Sequence, residues 1–303
     1  MSRTSSTART AWRATKVGLI GSMAVVAGLM TPAYAGPADG EPTAAEVPLK
    51  PIPNRFMTWN TNGQDLGTPK AIAEQIKHFL PQVAALQESC LNEVREAVRQ
   101  LNEAGLKYEY RSGLAALNGG CPGRLGTAIV YSKGTTVRAH NKKGYSEDEG
   151  WLEARGMQSF TTKLDGQWVR VFNTHLSAPG HEHEELRKLQ AGELVTATRP
   201  HPRALVLGDF NTRPHVTKVM APIWQAGFKD VDQFCGPVKD PRCTKTLPRT
   251  GPGFPTEAAK FDYILGRGVN FRSCRLHTPT KDHRVVVSDL TVADVPRPVC
   301  TVT

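Results

Sequence analysis

Short apolar runs alternate with amphipathic stretches along the chain from about residue 54 to its C-terminus. In TPKAIAEQIKHFL, residues 68–80, Ile72, Ile76, Phe79 and Leu80 recur on one helical face. Thr68 stands ready as N-cap and Pro69 takes the first helical position, so the stretch predicts a helix. LNEVREAVRQLNEAG repeats the pattern with Val94, Val98 and Leu101, and Gly105 supplies the stop. A further helix is expected to begin near HEHEEL. The runs at 56–59, 83–86, 127–131, 159–164, 168–173, 204–207, 261–265 and 285–288 have the length of strands. Asp165-Gly166 between two of them is a hairpin signal, so at least part of the sheet is antiparallel. An α/β or α+β sandwich, two sheets with outer helices, fits this order.

The first 35 residues follow another pattern. Arg3, Arg9, Arg13 and Lys16 precede an uncharged apolar run from Val17 to Met30, and Ala33 and Ala35 form an A-x-A cleavage site. The run is shorter than the roughly 20 residues that span a bilayer, so a signal peptide cleaved near Ala35 is expected rather than an anchor. No later segment is long and apolar enough to span. Residues 36–53, rich in Pro and Ala, read as a linker, and 54–303 as one domain. A secreted, extracellular and monomeric protein is the expectation.

Export changes the reading of Cys90, Cys121, Cys235, Cys243, Cys274 and Cys300, an even set in an oxidising compartment. CGPVKDPRC closes a short loop, which favours Cys235 with Cys243, and chain order then suggests Cys90 with Cys121 and Cys274 with Cys300. No Cys/His spacing typical of zinc occurs. Without the leader's four basic residues, 38 Lys and Arg fall to 34 against 28 Asp and Glu, or +6. A polyanionic partner suits that balance, and so does a soluble basic surface.

Polar residues gather at the strand ends: Asn60 in TWN, Glu88 in LQE, Asn173 and His175 in NTHL, Asp209 and Asn211 in GDFN, Asp262 in FDYIL, Asp282 and His283 before the last long strand. Any one could serve a turn. As a set, carboxylates, amides and two histidines are what a hard divalent cation and a phosphate diester require.

In this order the motifs resemble the endonuclease/exonuclease/phosphatase superfamily, which includes secreted deoxyribonuclease I, toxin nuclease subunits, abasic-site endonucleases, sphingomyelinases and inositol polyphosphate phosphatases. The resemblance implies a four-layer sandwich of two mainly antiparallel sheets flanked by helices, with a metal phosphoesterase site at one end. It implies that Glu88, helped by Asn60, binds Mg²⁺ or Mn²⁺, and that Asp282 is a further ligand of metal or water; a structural Ca²⁺ is left open. Asp209 and Asn211 would position the nucleophilic water and the phosphate. His283 with Asp262 resembles the family's His-Asp pair, and His175 would contact the phosphate or protonate the leaving oxygen, the acid and base roles staying open. Arg155 and Asn173 would bind phosphate, Arg155 having a surface ion pair with Glu153 or a neighbour as its alternative.

Position 62 is Asn where abasic-site endonucleases carry a metal-binding acid, and the inositol phosphatase signature is absent. His181 and His183 read as solvated, and Trp151, Trp168 and Trp224 as core or rim residues. The leading expectation is therefore a secreted Mg²⁺-dependent endonuclease acting on DNA, with RNA as a further substrate. Its alternatives are a phospholipid or sphingomyelin phosphodiesterase, a phosphomonoesterase, and a toxin-like nuclease subunit working with partner chains.

Overall fold

The central strands read as unbroken apolar runs because both of their faces are covered. In the computed structural model, which describes residues 49–63, 67–117, 121, 123–150, 154–180, 182–251, 255–280 and 282–303, successive residues of these central strands enter different cores. The expected leader with Ala35, most of the linker, Trp151, Glu153 and His181 lie outside the described residues.

In chain order the elements are β1 (Ile52–Asn60), α1 (Pro69–Phe79), β2 (Pro81–Cys90), α2 (Leu91–Glu103), β3 (Tyr108–Leu117), β4 (Arg124–Ser132), β5 (Arg138–Gly144), β6 (Gly156–Leu164) and β7 (Gln167–His175). There follow α3 (Glu184–Thr198), β8 (Ala204–Asp209), α4 (Thr217–Gln225), β9 (Lys229–Asp230), β10 (Asp262–Arg267), β11 (Asn270–Phe271), β12 (Arg275–His277), β13 (Val285–Thr291) and β14 (Thr301–Val302). One sheet runs β14-β12-β13-β1-β2-β4-β3, with β11 on β13, and the other runs β5-β6-β7-β8-β10-β9. Pairing is antiparallel except at β1·β2, β7·β8 and β12·β14.

Phe56, Val83, Ala85 and Ile129 face Phe160, Val171, Leu205, Leu207 and Ile264 in a core between the sheets. Their strand neighbours Met57, Trp59, Ala84, Leu86 and Val130 turn outward onto Ile72, Ile76, Val94 and Leu101 of α1 and α2. On the far side Phe172, Val206 and Leu265 pack under Leu194, Val219 and Ile223 of α3 and α4. The four layers are helix, sheet, sheet and helix, the expected sandwich.

Thr68 caps α1, its Oγ1 accepting from Ala71 N at 3.2 Å. Leu80 falls outside the helix, as a left-handed cap with φ 50°. Strand β1 begins at Ile52, two residues ahead of the expected domain start. The three disulfides join Cys90 to Cys121, Cys235 to Cys243 and Cys274 to Cys300, the pairs that chain order suggests. Among the described residues no helix is long and apolar enough to cross a membrane.

Candidate active site

Registers within the second sheet line up a row of residues at one end of it. Gly144 pairs with Gly156, Gly156 with His175, His175 with Asp209, and Asp209 with Asp262. At the same end of the first sheet β1 finishes at Asn60 beside Gln87, and His283 enters just before β13. Asn60 joins the two sheets: its Nδ2 donates to Glu88 Oε1 and to Asp209 Oδ2, each at 2.9 Å. The close approach of β7 to β8 requires glycine at 208, where a Cβ would meet Thr174 O at 1.9 Å.

Asp209 is fully buried at the centre. Its Oδ1 accepts from Asn211 N at 2.7 Å, and its Oδ2 lies 3.7 Å from both His175 Nε2 and His283 Nε2. Burial pushes the Asp209 carboxyl above its ordinary range, against the pull of the two histidines. His283 Nδ1 meets Asp262 at 2.8 Å and its Nε2 stands 3.9 Å from Asp282 Oδ1. Burial disfavours that imidazolium, yet Asp262, Asp209 and Asp282 around it hold its pKa up to about 10.

The other flank is cationic. Arg155 Nη1 lies 2.6 Å from His175 Nδ1, and Asn211 Nδ2 stands 3.1 Å from His175 Nε2 while donating to Leu176 O. Arg155 is itself buried, its Nε donating to Glu149 Oε1 at 2.7 Å. Glu149 also accepts from Ser177 Oγ and from Ala178 N. Burial alone would raise Glu149, but Arg155, Ser177 and the Ala178 amide hold its pKa down to about 2.

Backbone strain collects here. Asn62, Glu88 and Asn211 have φ of 42°, 46° and 49°, the left-handed region that non-glycine residues rarely occupy. Glu88 is held there through its carbonyl, which accepts from Gly63 N at 2.7 Å and from Thr61 Oγ1 at 3.0 Å. The Cys90–Cys121 bridge fixes the chain two residues further on.

The donor set suits a hard divalent cation. Glu88, His175 and Asp209 offer ligand atoms within 4.8 Å of one another; Asp209, Asp262 and His283 lie as close together, but there the two carboxylates hold the His283 imidazolium, which has no lone pair for a metal. Among the described residues the buried Asp282 Oδ1 finds no hydrogen-bond partner, which leaves it an oxygen for a cation or a water.

Nine of the ten expected site residues meet at this end: Asn60, Glu88, Arg155, His175, Asp209, Asn211, Asp262, Asp282 and His283. Asn173 is the exception. It is fully buried between the sheets, where Nδ2 donates to Leu86 O and Ala128 O and Oδ1 accepts from Gln87 Nε2, so its polar atoms are spent on joining the layers rather than on phosphate. Asn60 also differs from its expected part, since it turns amide hydrogens toward the carboxylates while its oxygen accepts from Asn62 N. Two contributors escaped the sequence reading. Asn62 donates to Asp282 Oδ2 at 2.7 Å, linking Asp282 to Asn60, and Glu149 backs Arg155. Nothing in SEDEG distinguishes Glu149 from Glu147 or Asp148.

A family model described as Endonuclease/Exonuclease/phosphatase family matches residues 57–289. Solved structures share the fold. The D. rerio TDP2 structure complexed with single strand DNA product has a TM-score of 0.59 at 17% identity, covering 78% of this chain and 98% of that one. An endonuclease/exonuclease/phosphatase from Bacteroides vulgatus gives 0.60 at 19% over 78% and 97%. The human Nocturnin catalytic domain with bound sulfate anion gives 0.60 at 21% over 81% and 96%. No curated protein matches the sequence.

Proposed function

Because the chain belongs to the endonuclease/exonuclease/phosphatase family, we propose that it is an exported, divalent-metal-dependent phosphodiesterase that hydrolyses nucleic acid, DNA foremost. In this reading residues 1–35 are a signal peptide removed at Ala35, 36–53 a linker and 54–303 the enzyme, acting as a monomer. The observation that carries it is the buried Asp209 set 3.7 Å from two histidines of opposite surroundings, one against Asp262 and the other against Arg155. A phosphate diester needs such an asymmetric site, with a proton acceptor for the attacking water beside donors for the phosphoryl oxygens.

A Mg²⁺ ion bound by Glu88 and Asp282 would supply charge neutralisation at the phosphoryl oxygen. Asn60 keeps Glu88 and Asp209 in a fixed relation through its two amide hydrogens. Asp209, whose burial favours proton uptake, takes the proton of the attacking water, and the Asn211 amide holds the other carboxylate oxygen still. His283, kept cationic by Asp262, faces a phosphoryl oxygen. Arg155, His175 and Asn211 form the opposite wall, where His175 meets the phosphate or passes a proton to the leaving oxygen. The single strand DNA product held by the D. rerio TDP2 neighbour and the positive balance of this chain both support a nucleic acid substrate.

The test is nicking of supercoiled plasmid by the mature protein with Mg²⁺, with chelator, and with Asp209→Asn. The expected result is metal-dependent nicking that falls about 10²- to 10⁴-fold in the variant. A folded protein that leaves plasmid intact and hydrolyses sphingomyelin or phospholipid vesicles would overturn the nucleic acid reading within the same site.

A further inference from the structure

Strand β5, RAHNKKG, is the bare edge of the second sheet, and its residues are exposed apart from the half-buried His140. Its C-terminal residue Gly144 pairs with Gly156 and thus ends on the row that holds His175 and Asp209. Two strand spacings of about 4.8 Å separate β5 from His175, and the six residue steps from Arg138 to Gly144 extend about 20 Å from there.

Cations follow that edge. Lys142 reaches across to β3, the edge of the other sheet, and donates to Ser112 Oγ at 3.1 Å. At the far end Trp168 is 43% exposed, with Arg138 Cζ 5.2 Å and Lys163 Nζ 5.1 Å from its ring. Arg170 lies between, donating to Ala139 O, Thr161 Oγ1 and Ser159 Oγ. Among the described residues none of Arg138, Lys142, Lys163 and Arg170 has a carboxylate partner. His140 registers the local field: burial lowers its pKa, and Lys142, Arg111 and Arg170 lower it further with no acid opposing. Strand alternation places Lys142 on the face toward β3 and Arg138, Lys163, Trp168 and Arg170 on the face toward the helices, so the cations flank the edge on both sides; Lys143 is left out because Glu185 and Glu193 line a cleft with it.

We infer that the β5 edge, from Lys142 to Arg138, Lys163 and Trp168, is a docking track for the nucleic acid strand beyond the scissile bond. The inference rests on the reading of the substrate as nucleic acid and says where the uncleaved part lies. At 3.4 Å of rise per nucleotide along one strand, 20 Å corresponds to about six nucleotides. Cations beside an exposed indole provide the two contacts such a strand uses, phosphate neutralisation and base stacking. Charge on an edge strand also keeps it from pairing with another chain. That role demands neither the indole nor an acid-free neighbourhood.

The test compares the full mature protein with R138A/K142A/K163A. Anisotropy of a labelled 30-base-pair duplex, in chelator and over a range of NaCl, reads the salt dependence of binding. Hydrolysis of bis(p-nitrophenyl) phosphate in Mg²⁺ reads the site without the track. At about 0.9 per phosphate contact, the triple variant is expected to lose about 2 to 3 from the slope of log K against log salt, with small-diester hydrolysis unchanged. K142R/K163R is expected to keep the slope. Should the triple variant misfold, Lys142→Ala and Lys163→Ala alone are each expected to lose about 0.9. An unaltered slope in a wild type that cuts DNA overturns the track and leaves the nuclease reading intact. A wild type that hydrolyses the small diester but neither binds nor cuts nucleic acid removes both. Retained DNA binding in the triple variant, with loss of binding to phosphatidylserine vesicles, overturns the track in favour of a membrane surface.

Discussion

Replacing Glu149 by Gln removes one charge from a buried pair and leaves the shape of the side chain almost unchanged. The Glu149 and Arg155 side chains are only 8% and 9% exposed and meet at 2.7 Å, so solvent screens them little. The Glu149 carboxyl falls from 4.5 to about 2 in the folded protein, burial pulling it up and Arg155, Ser177 and the Ala178 amide pulling it down further. At about 1.4 kcal/mol per pH unit, that difference stabilises the fold by about 3 kcal/mol at neutral pH. The figure agrees with the ~3 to 5 kcal/mol lost when one partner of a buried ion pair is deleted.

The sign is that of a depressed carboxylate. Its contribution is complete above pH 4.5 and disappears as pH falls toward 2, where wild type and variant become alike. Urea unfolding at pH 7, 5, 4 and 3 is expected to give a gap of about 3 kcal/mol at pH 7 that shrinks through the last two points. A gap below 1 kcal/mol at pH 7, or one that stays constant down to pH 3, would refute the assignment. Since Arg155 lies against the His175 ring, the folded variant is also expected to lose at least about tenfold in kcat, because misplacing a group by 1 Å can cost 10²-fold.

Further outcomes follow from a buried ion pair and a buried disulfide. Asp230 and Lys260 are both almost wholly buried, 3.4 Å apart; Asp230→Leu alone is expected to cost about 3 to 5 kcal/mol, whereas Asp230→Leu with Lys260→Met is expected to be neutral or stabilising in thermal melts. Burial raises the Asp230 carboxyl to about 6 against the pull of Lys260, so its ionisation weakens the wild-type fold as pH rises from about 4 to 6, a decline the double variant is expected to lack. The Cys90–Cys121 bridge closes a loop of 31 residues, so Cys90→Ser with Cys121→Ser is expected to lower stability by about 3 to 4 kcal/mol in urea titration. Activity in that variant is expected to fall too, because the bridge fixes the backbone two residues beyond Glu88.

What could be read in advance depended on whether a single segment carried the cause. Residues 204–211 illustrate the favourable case: the apolar run has its length because both faces of β8 are buried, Gly208 is there because no other residue can pass Thr174 O, and the polar pair follows where the strand leaves its core. The same logic exposed Asn60, Glu88, His175, Asp262 and His283. Strand β5 was missed because an edge strand exposed along its length has no apolar period to announce it, and α4 because Pro222 interrupts a helix that burial of Val219, Met220 and Ile223 nevertheless sustains.

Asn173 marks the harder boundary. In sequence it belongs to NTH as fully as His175 does, two positions away on the same face of β7. The difference is depth: His175 stands in the terminal pair with Asp209, while Asn173 pairs two residues deeper with Leu207, beneath the rim where β2 and β4 of the other sheet offer Leu86 O and Ala128 O. A buried amide with carbonyls in reach must satisfy itself there, so the packing of two sheets, which no tripeptide contains, decides that one residue of the motif joins the layers and the other reaches Asp209 and Arg155.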